Sequence, residues 1–477
     1  MTTMATMTKY YKITNHIETH HGYVYKDGLN ILDRPFEEQG NCVPGGLYFT
    51  TIEHIDKFYS YGIYLREISL PINDLDFKMV CDQKHIKYRA NKIILGNKYS
   101  LFDAETYEKF GLTMSNNRYL PLLASICNRI DILELYKNNG YEFKSNRVMN
   151  AASFYGHIEI LDWWINSGLE LEPDSMNNIV DVASGKNNIN VLDWWLKASI
   201  AGKVELPYSE LAIQWACQNG HVNILDWWLN AAKNHDIKIK YNKYAINWAS
   251  RKGHIDILEW WKNTGLELMY DEHAMNIGSF ENQIDVLEWW KNSGLELKYT
   301  DATIDLASAN GHQYVLEWWK NSGLELKYSE SAIDWVSGCG QHIDIINILD
   351  WWQNSGLELK YSKRAIDRAS MKGHVNVLEW WRNSGLQLKY SKLAMHWASV
   401  EGYVNVLQWW RNSGLELKYS CNAVIRASMK GHINVLQWWK DSGLNMLYDD
   451  NRIITNAINN NQFDILEWWL NSGLSLC

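Results

Sequence analysis

Six histidines follow a glycine at intervals along the chain: His157, His221, His254, His312, His374 and His432. Imidazoles recurring this way are raw material for a metal array or a proton relay. Each, however, belongs to a separate repeated segment, and packed helical units lie about 10 Å apart. That is too far for shared ligation, so hydrogen bonds that stabilise turns are the expected role. A second recurrent set is acidic. Glu259, Glu288, Asp350 and Glu379 each directly precede two adjacent tryptophans, on what reads as the polar face of a helix, and are expected to be solvated surface. Near the N-terminus, His20, His21, Cys42 and Cys81 offer ligand atoms but lack recognisable zinc spacing. No metal, no cofactor and no catalytic group is therefore expected in the repeated region.

The tryptophan pairs dominate the chain. They stand at 163–164, 194–195, 227–228, 260–261, 289–290, 318–319, 351–352, 380–381, 409–410, 438–439 and 468–469, and account for 22 of 26 tryptophans. Their spacing of 29 to 33 residues is that of a repeat array rather than of separate globular cores. Leu135-Tyr136, 28 residues before the first pair, reads as a degenerate further copy. In one unit, residues 391–419, Ser391 can cap a first helix. Ala394, Met395 and Ala398 form its apolar face, and Gly402 ends it in a left-handed conformation. A second helix from about Val404 to Asn412 places Val406, Leu407 and Trp410 on one arc, with Trp409 at its edge; Gly414 ends it. Helices this short are marginal alone. Stacking must supply the stability, and the second tryptophan of each pair is expected to be core, with the first on the flank, packed against the next unit. Units of 33 residues add one helical turn, after the pair in two cases and before it in "GQHIDIINILDWW".

Composition agrees with a folded protein. Of 477 residues, 46% are apolar and 21% charged, which excludes disorder. The net charge of −9 is spread without a basic block, which argues against nucleic acid or a lipid surface as partner. Seven scattered cysteines without CxxC spacing fit reduced thiols, hence an intracellular protein. No run of about 18 apolar residues and no secretory h-region is present. Membrane insertion and secretion are not expected.

In "AIDRASMKGHVNVLEWWRNSGLQLKYS", residues 365–391, the pattern resembles ankyrin repeats. Ile366 and Ala369-Ser370 stand at the family's Leu and Ala-Ala positions, Gly373-His374 at its Gly-His turn and Val377-Leu378 at its Val-Val. Trp380-Trp381 stands at its Leu-Leu, and residues 385–388 at its Gly-Ala-Asp-Val. Arg364-Ala365-Ile366-Asp367 replaces the usual Thr-Pro-Leu-His, and the 29-residue period implies a shortened or missing hairpin finger. The tryptophan pairs together with "SGLELKYS" resemble the ankyrin-repeat proteins of amoeba-infecting giant DNA viruses more than cellular ones. The resemblance implies a mainly α, helical-hairpin solenoid of about twelve units over residues 116–477, its terminal unit at about 449–477, binding another protein through a concave face built by first helices. It implies a location in host cytoplasm if viral, with no small-molecule substrate.

One first-helix position varies while its neighbours hold constant. It reads Trp215, Trp248, Ile277, Leu306, Trp335, Arg368, Trp397 and Arg426 from the third unit onward. In the family this position faces the groove, and Trp and Arg are enriched at binding hot spots. With Arg251, Lys372 and Lys430 nearby, these side chains are the candidate protein-binding residues, and the last third of the groove reads as basic. The competing reading is that the tryptophans fill gaps between helices.

Residues 1–115 lack the repeat. Short β-branched and aromatic runs broken by Gly, Pro and Asn predict a small β-rich or α+β domain, with a helix in "IEHIDKFYSYG". His21-Gly22 and Gly46-Leu47-Tyr48-Phe49 resemble the His-Gly and Gly-x-Tyr-Phe elements of ADP-ribosyltransferases. That resemblance would imply an enzyme targeted by the array, but no catalytic acid can be assigned, and the expectation is a non-enzymatic chain.

Overall fold

A computed structural model describes residues 8–40, 43–82, 87–141, 145–169, 178–340, 343–459 and 462–474. The chain packs as two compact units, residues 1–215 with 230–237, and residues 216–229 with 238–477.

In the first unit an antiparallel four-stranded sheet runs in the order Tyr10–Thr14, Tyr64–Ser69, Lys92–Ser100, Gly28–Ile31. A three-stranded sheet of Leu47–Phe49, Lys87–Ala90 and Met79–Asp82 accompanies it. Tyr25, Leu47, Phe49, Ile68, Ala90, Ile93 and Leu95 form a shared core. The expected helix in "IEHIDKFYSYG" is a 3₁₀ helix, Ile52–Tyr61, burying Ile55 and Tyr59. A tight hairpin joins Thr19–His20 to Tyr23–Val24 through His21 and Gly22, both at positive φ, as a two-residue turn of matching twist requires. Helical hairpins follow from Leu120–Ile126 and Ile130–Asn138 onward.

The second unit is helical throughout its described elements. First helices such as Arg364–Met371, Leu393–Val400 and Cys421–Lys430 pack side by side. Second helices such as Val375–Asn383 and Val404–Asn412 pack on their own first helix and on the next second helix. Val404–Asn412 has the predicted bounds, and Val406, Leu407 and Trp410 are its buried residues. Gly253 shows how first helices stop: at φ +78° its N–H reaches back to the carbonyls of Ala249 and Ser250. The two 33-residue units with extra residues after the pair do lengthen the second helix, to Ile189–Ile200 and Val222–His235. In the third such unit the second helix, Ile345–Asn354, is only ten residues long. Its extra turn precedes the helix, where Gln341 and His342 lie outside the described residues. The "LELKY" segments form neither helix nor strand, and no strand of a hairpin finger is found among the described residues of the array.

Candidate functional site

The second tryptophan of each pair is core. Trp290, Trp319, Trp352, Trp410 and Trp439 are each at most 1% exposed. In these five the indole Nε1–H donates to a serine hydroxyl on the first helix of the preceding repeat, as from Trp319 to Ser279 at 2.9 Å, Trp352 to Ser308 at 2.8 Å and Trp439 to Ser399 at 3.0 Å, whereas Trp261 donates to Cys217 Sγ and Trp381 has no acceptor among the described residues. The first tryptophan stands edge-on to the second, with ring centres 5.0 Å apart at 88° for Trp318 and Trp319. Its N–H bonds backward, not to the next unit: Trp318 donates to Glu288 at 2.8 Å, Trp380 to Asp350 at 2.7 Å and Trp409 to Glu379 at 2.8 Å. The acidic residues expected to be plain solvated surface are therefore acceptors for the neighbouring repeat. Hydrogen bonds from the Trp318 indole and from Asn292 hold the Glu288 carboxyl below its usual range.

The histidines also act between units. Nε2 of His312 bonds the carbonyl of Phe280 at 2.8 Å and that of His254 the carbonyl of Gln218 at 3.1 Å, both in the preceding repeat. A proton on Nε2 is implied, because a carbonyl only accepts. Sequence reasoning missed a further link. Asp367, 5% exposed, accepts from the backbone N–H of Ser391 at 2.9 Å and from its hydroxyl at 2.6 Å. Asp334 and Ser362, and Asp305 and Ser329, repeat the arrangement. Ser391 in turn accepts from the N–H of Leu393 at 3.2 Å, a turn bond just ahead of the helix; the N-cap is Lys392 and no side chain caps it, so Ser391 tethers the helix start to the previous unit rather than capping it as expected. Burial raises the carboxyls of Asp305 and Asp367 above the usual range, against the lowering effect of the serine bonds.

The variable first-helix residues lie on this scaffold. In the first unit Trp215 is half-buried; a Cβ built on Gly185 of the preceding first helix would lie 2.9 Å from its Cβ. In the second unit Trp248, Trp335, Arg368 and Trp397 are half-buried, and Arg426, Lys372 and Lys430 are exposed. Arg251 stacks over the Trp248 ring at 4.8 Å and pairs with Glu281 of the next repeat at 2.7 Å. Its charge is neutralised internally, so the cationic character of the face comes from Arg368, Lys372, Arg426 and Lys430. Beside them burial, with Arg426 and Lys392 next, lowers the His396 pKa.

The sheet region holds a cavity of about 360 Å³. His20 and His21 line it together with Gly46, Leu47, Tyr48 and Phe49, so the two elements singled out in the sequence meet, although His21 sits in a turn rather than on a strand. No carboxylate lines it among the described residues, and the acid an ADP-ribosyl transfer would use remains unassigned. The His20 and His21 rings stack at 4.5 Å. Burial, then Lys12 and His21, push the His20 pKa down to about 4. Cys42 lies outside the described residues. Among the described residues the cluster with metal-compatible geometry is instead Asp271, Glu272 and His273, and there Lys243 already occupies Asp271 at 2.7 Å.

A protein of Acanthamoeba polyphaga mimivirus named for its ankyrin repeats is 43% identical to this chain over 162 residues, 32% of the chain and 80% of the relative. The chain belongs to the ankyrin-repeat family. A second ankyrin-repeat protein of the same virus is 39% identical over 140 residues, 28% of this chain and 42% of that relative. The chain thus spans less than half the length of some relatives it matches. No family model matches. Among solved structures, the pentatricopeptide repeat protein PPR10 from maize matches over 78% of this chain and 56% of its own at 13% identity, with a TM-score of 0.27. In this ankyrin-repeat protein the Asp-to-Ser link occupies the place of the missing Thr-Pro-Leu-His element: Asp367 is the last residue of that departure, and it ties one first helix to the start of the next. No helix among its described residues is long and apolar enough to cross a membrane.

Proposed function

We propose that this ankyrin-repeat chain is an interaction scaffold that binds another protein along the first-helix face of its second unit, and that it acts by binding rather than catalysis. The observation that carries the reading is the combination of Trp248, Trp335 and Trp397, half-buried, with Arg368, Lys372, Arg426 and Lys430, on helices whose neighbouring positions are buried and nearly invariant. Large aromatic and cationic side chains held on a rigid support are what a protein hot spot requires. Trp215, in the first unit, occupies the same position of its own repeat. The mimivirus relatives favour an amoebal or viral protein as partner, met in the cytoplasm of an infected cell. Residues 1–115 are taken as a separate module and 116–477 as the array.

The test is a chain with Trp335, Arg368, Trp397 and Arg426 all replaced by alanine, used beside the unaltered chain in affinity purification from amoebae. Loss of one reproducible partner at unchanged helical content supports the reading. Retention of every partner, or unfolding of the variant, shows that these residues are structural.

A further inference from the structure

Two buried cations face each other across neighbouring strands of the sheet region, because Lys12 pairs in register with Arg66. Arg66, 1% exposed, is neutralised by Glu18 at 3.0 Å and by Asp27. Lys12, 4% exposed, has no ion pair among the described residues. Its Nζ donates to the Tyr48 carbonyl at 2.9 Å and stands 4.5 Å from the centre of the Tyr25 ring. Among the described residues one acceptor leaves two ammonium protons without a hydrogen-bond partner, and a buried charge without a counter-charge is costly. Burial accordingly lowers the Lys12 pKa to about 7.

Lys12 lines the 360 Å³ cavity, a volume suited to a small molecule. Tyr23, Tyr25, Phe49, Phe58 and Tyr61 supply ring surface to its walls; Lys87 is a further cation there, and Arg34 is paired with Asp33 at 2.8 Å. With His20 uncharged at neutral pH and no carboxylate among the described lining residues, the cavity is aromatic, with Lys12 and Lys87 as its cations. We propose that it binds a planar aromatic carboxylate of one or two rings, with the ring against the tyrosine and phenylalanine walls and the carboxylate accepting from Lys12 Nζ. Ring burial and stacking provide affinity, while the carboxylate supplies the counter-charge that Arg66 has and Lys12 lacks.

The bound carboxylate requires protonated Lys12, so above pH 7 binding takes up a proton. Affinity then falls about tenfold per pH unit above that point. The other titratable and charged groups lining the cavity are His20, His21 and Tyr23 of the hairpin, Tyr11, Tyr25, Tyr48, Tyr61, Lys87 and the Asp33-paired Arg34, with Arg66 held by Glu18 and Asp27 on the paired strand.

The experiment is equilibrium dialysis of the full chain with 2-naphthoate and with its neutral isostere 2-naphthamide between pH 6 and 9. One molecule of 2-naphthoate per chain should bind at least about tenfold tighter than the amide at pH 6.5, a modest return for one charge-assisted hydrogen bond. That preference should vanish in Lys12→Met. Equal affinity for acid and amide, a preference for the amide, a preference that survives Lys12→Met, or no saturable binding overturns the proposal. If Lys12→Met fails to fold by circular dichroism, the acid-to-amide ratio and the pH slope of the unaltered chain decide alone.

Discussion

Asp367 in the array and Lys12 in the sheet region are both buried charges, and they are handled in opposite ways. Asp367 receives two hydrogen bonds from Ser391 of the next repeat. The arrangement recurs at Asp334 and Asp305. Lys12 has a single carbonyl acceptor and a cavity beside it. In the array a buried polar group fastens one unit to another; in the sheet region it is left facing a space. Satisfied polar networks specify structure, whereas under-satisfied ones mark places held for something else. The contrast assigns stability to the array's polar groups and ligand binding to Lys12.

The largest effect that tests this contrast is expected at the seam. Trp319→Ala should cost about 3–5 kcal/mol, read as lost hydrogen-exchange protection in its own and the adjoining repeats. Unchanged protection at the sheet strands would show that the cost is local, as expected when each repeat contacts only its neighbours. Loss at both would erase the distinction between the regions.

The next effect concerns Lys12. Its folded pKa of about 7 lies below the unfolded value of about 10.4, so between these the unfolded chain binds more protons and stability rises with pH. The sheet region should therefore gain up to about 1.4 kcal/mol per pH unit between pH 7 and 9. Exchange protection at residues 11–14, corrected for intrinsic rates, measures the gain, and Lys12→Met should flatten it. A flat profile in the unaltered chain would mean that Lys12 has a counter-charge and that the contrast fails.

Asp367→Ala strands the Ser391 N–H and hydroxyl and should cost about 1–3 kcal/mol. Asp367→Asn, which keeps an acceptor, should lose less; equal losses in urea denaturation would show that the carboxylate charge matters more than the bonds. The smallest effect is that of Trp318→Phe, which keeps a ring but removes the donor to Glu288. A loss of about 0.5–1.5 kcal/mol is expected, and Glu288→Ala should add little on top of it in a double-mutant cycle.

Much of the array is legible in the sequence because its unit is short and its period constant. The bounds of Val404–Asn412, the burial of Trp410 and the left-handed Gly402 follow from spacing alone. What links the units does not, because a bond such as Trp319 to Ser279 spans forty residues and joins positions that appear unrelated within one copy. His312 reads as a turn residue and Glu288 as solvated for the same reason: in a single unit each has no visible partner. At the variable positions the sequence identified Trp248 and Arg251, but not that Glu281 neutralises Arg251. The cavity was least legible. Its residues come from several strands, the hairpin and the 3₁₀ helix between residues 11 and 87, and no periodicity announces a space.

The separation between indole and serine is 40 residues for Trp319 and Ser279 but 44 for Trp352 and Ser308, with nearly equal bond lengths. The join is keyed to position within a unit rather than to distance along the chain. A stretch of gene encoding one unit carries both halves of the connection, a donor facing backward and an acceptor facing forward. Duplicating or deleting such a stretch in frame would yield a longer or shorter protein with its new junction already complete.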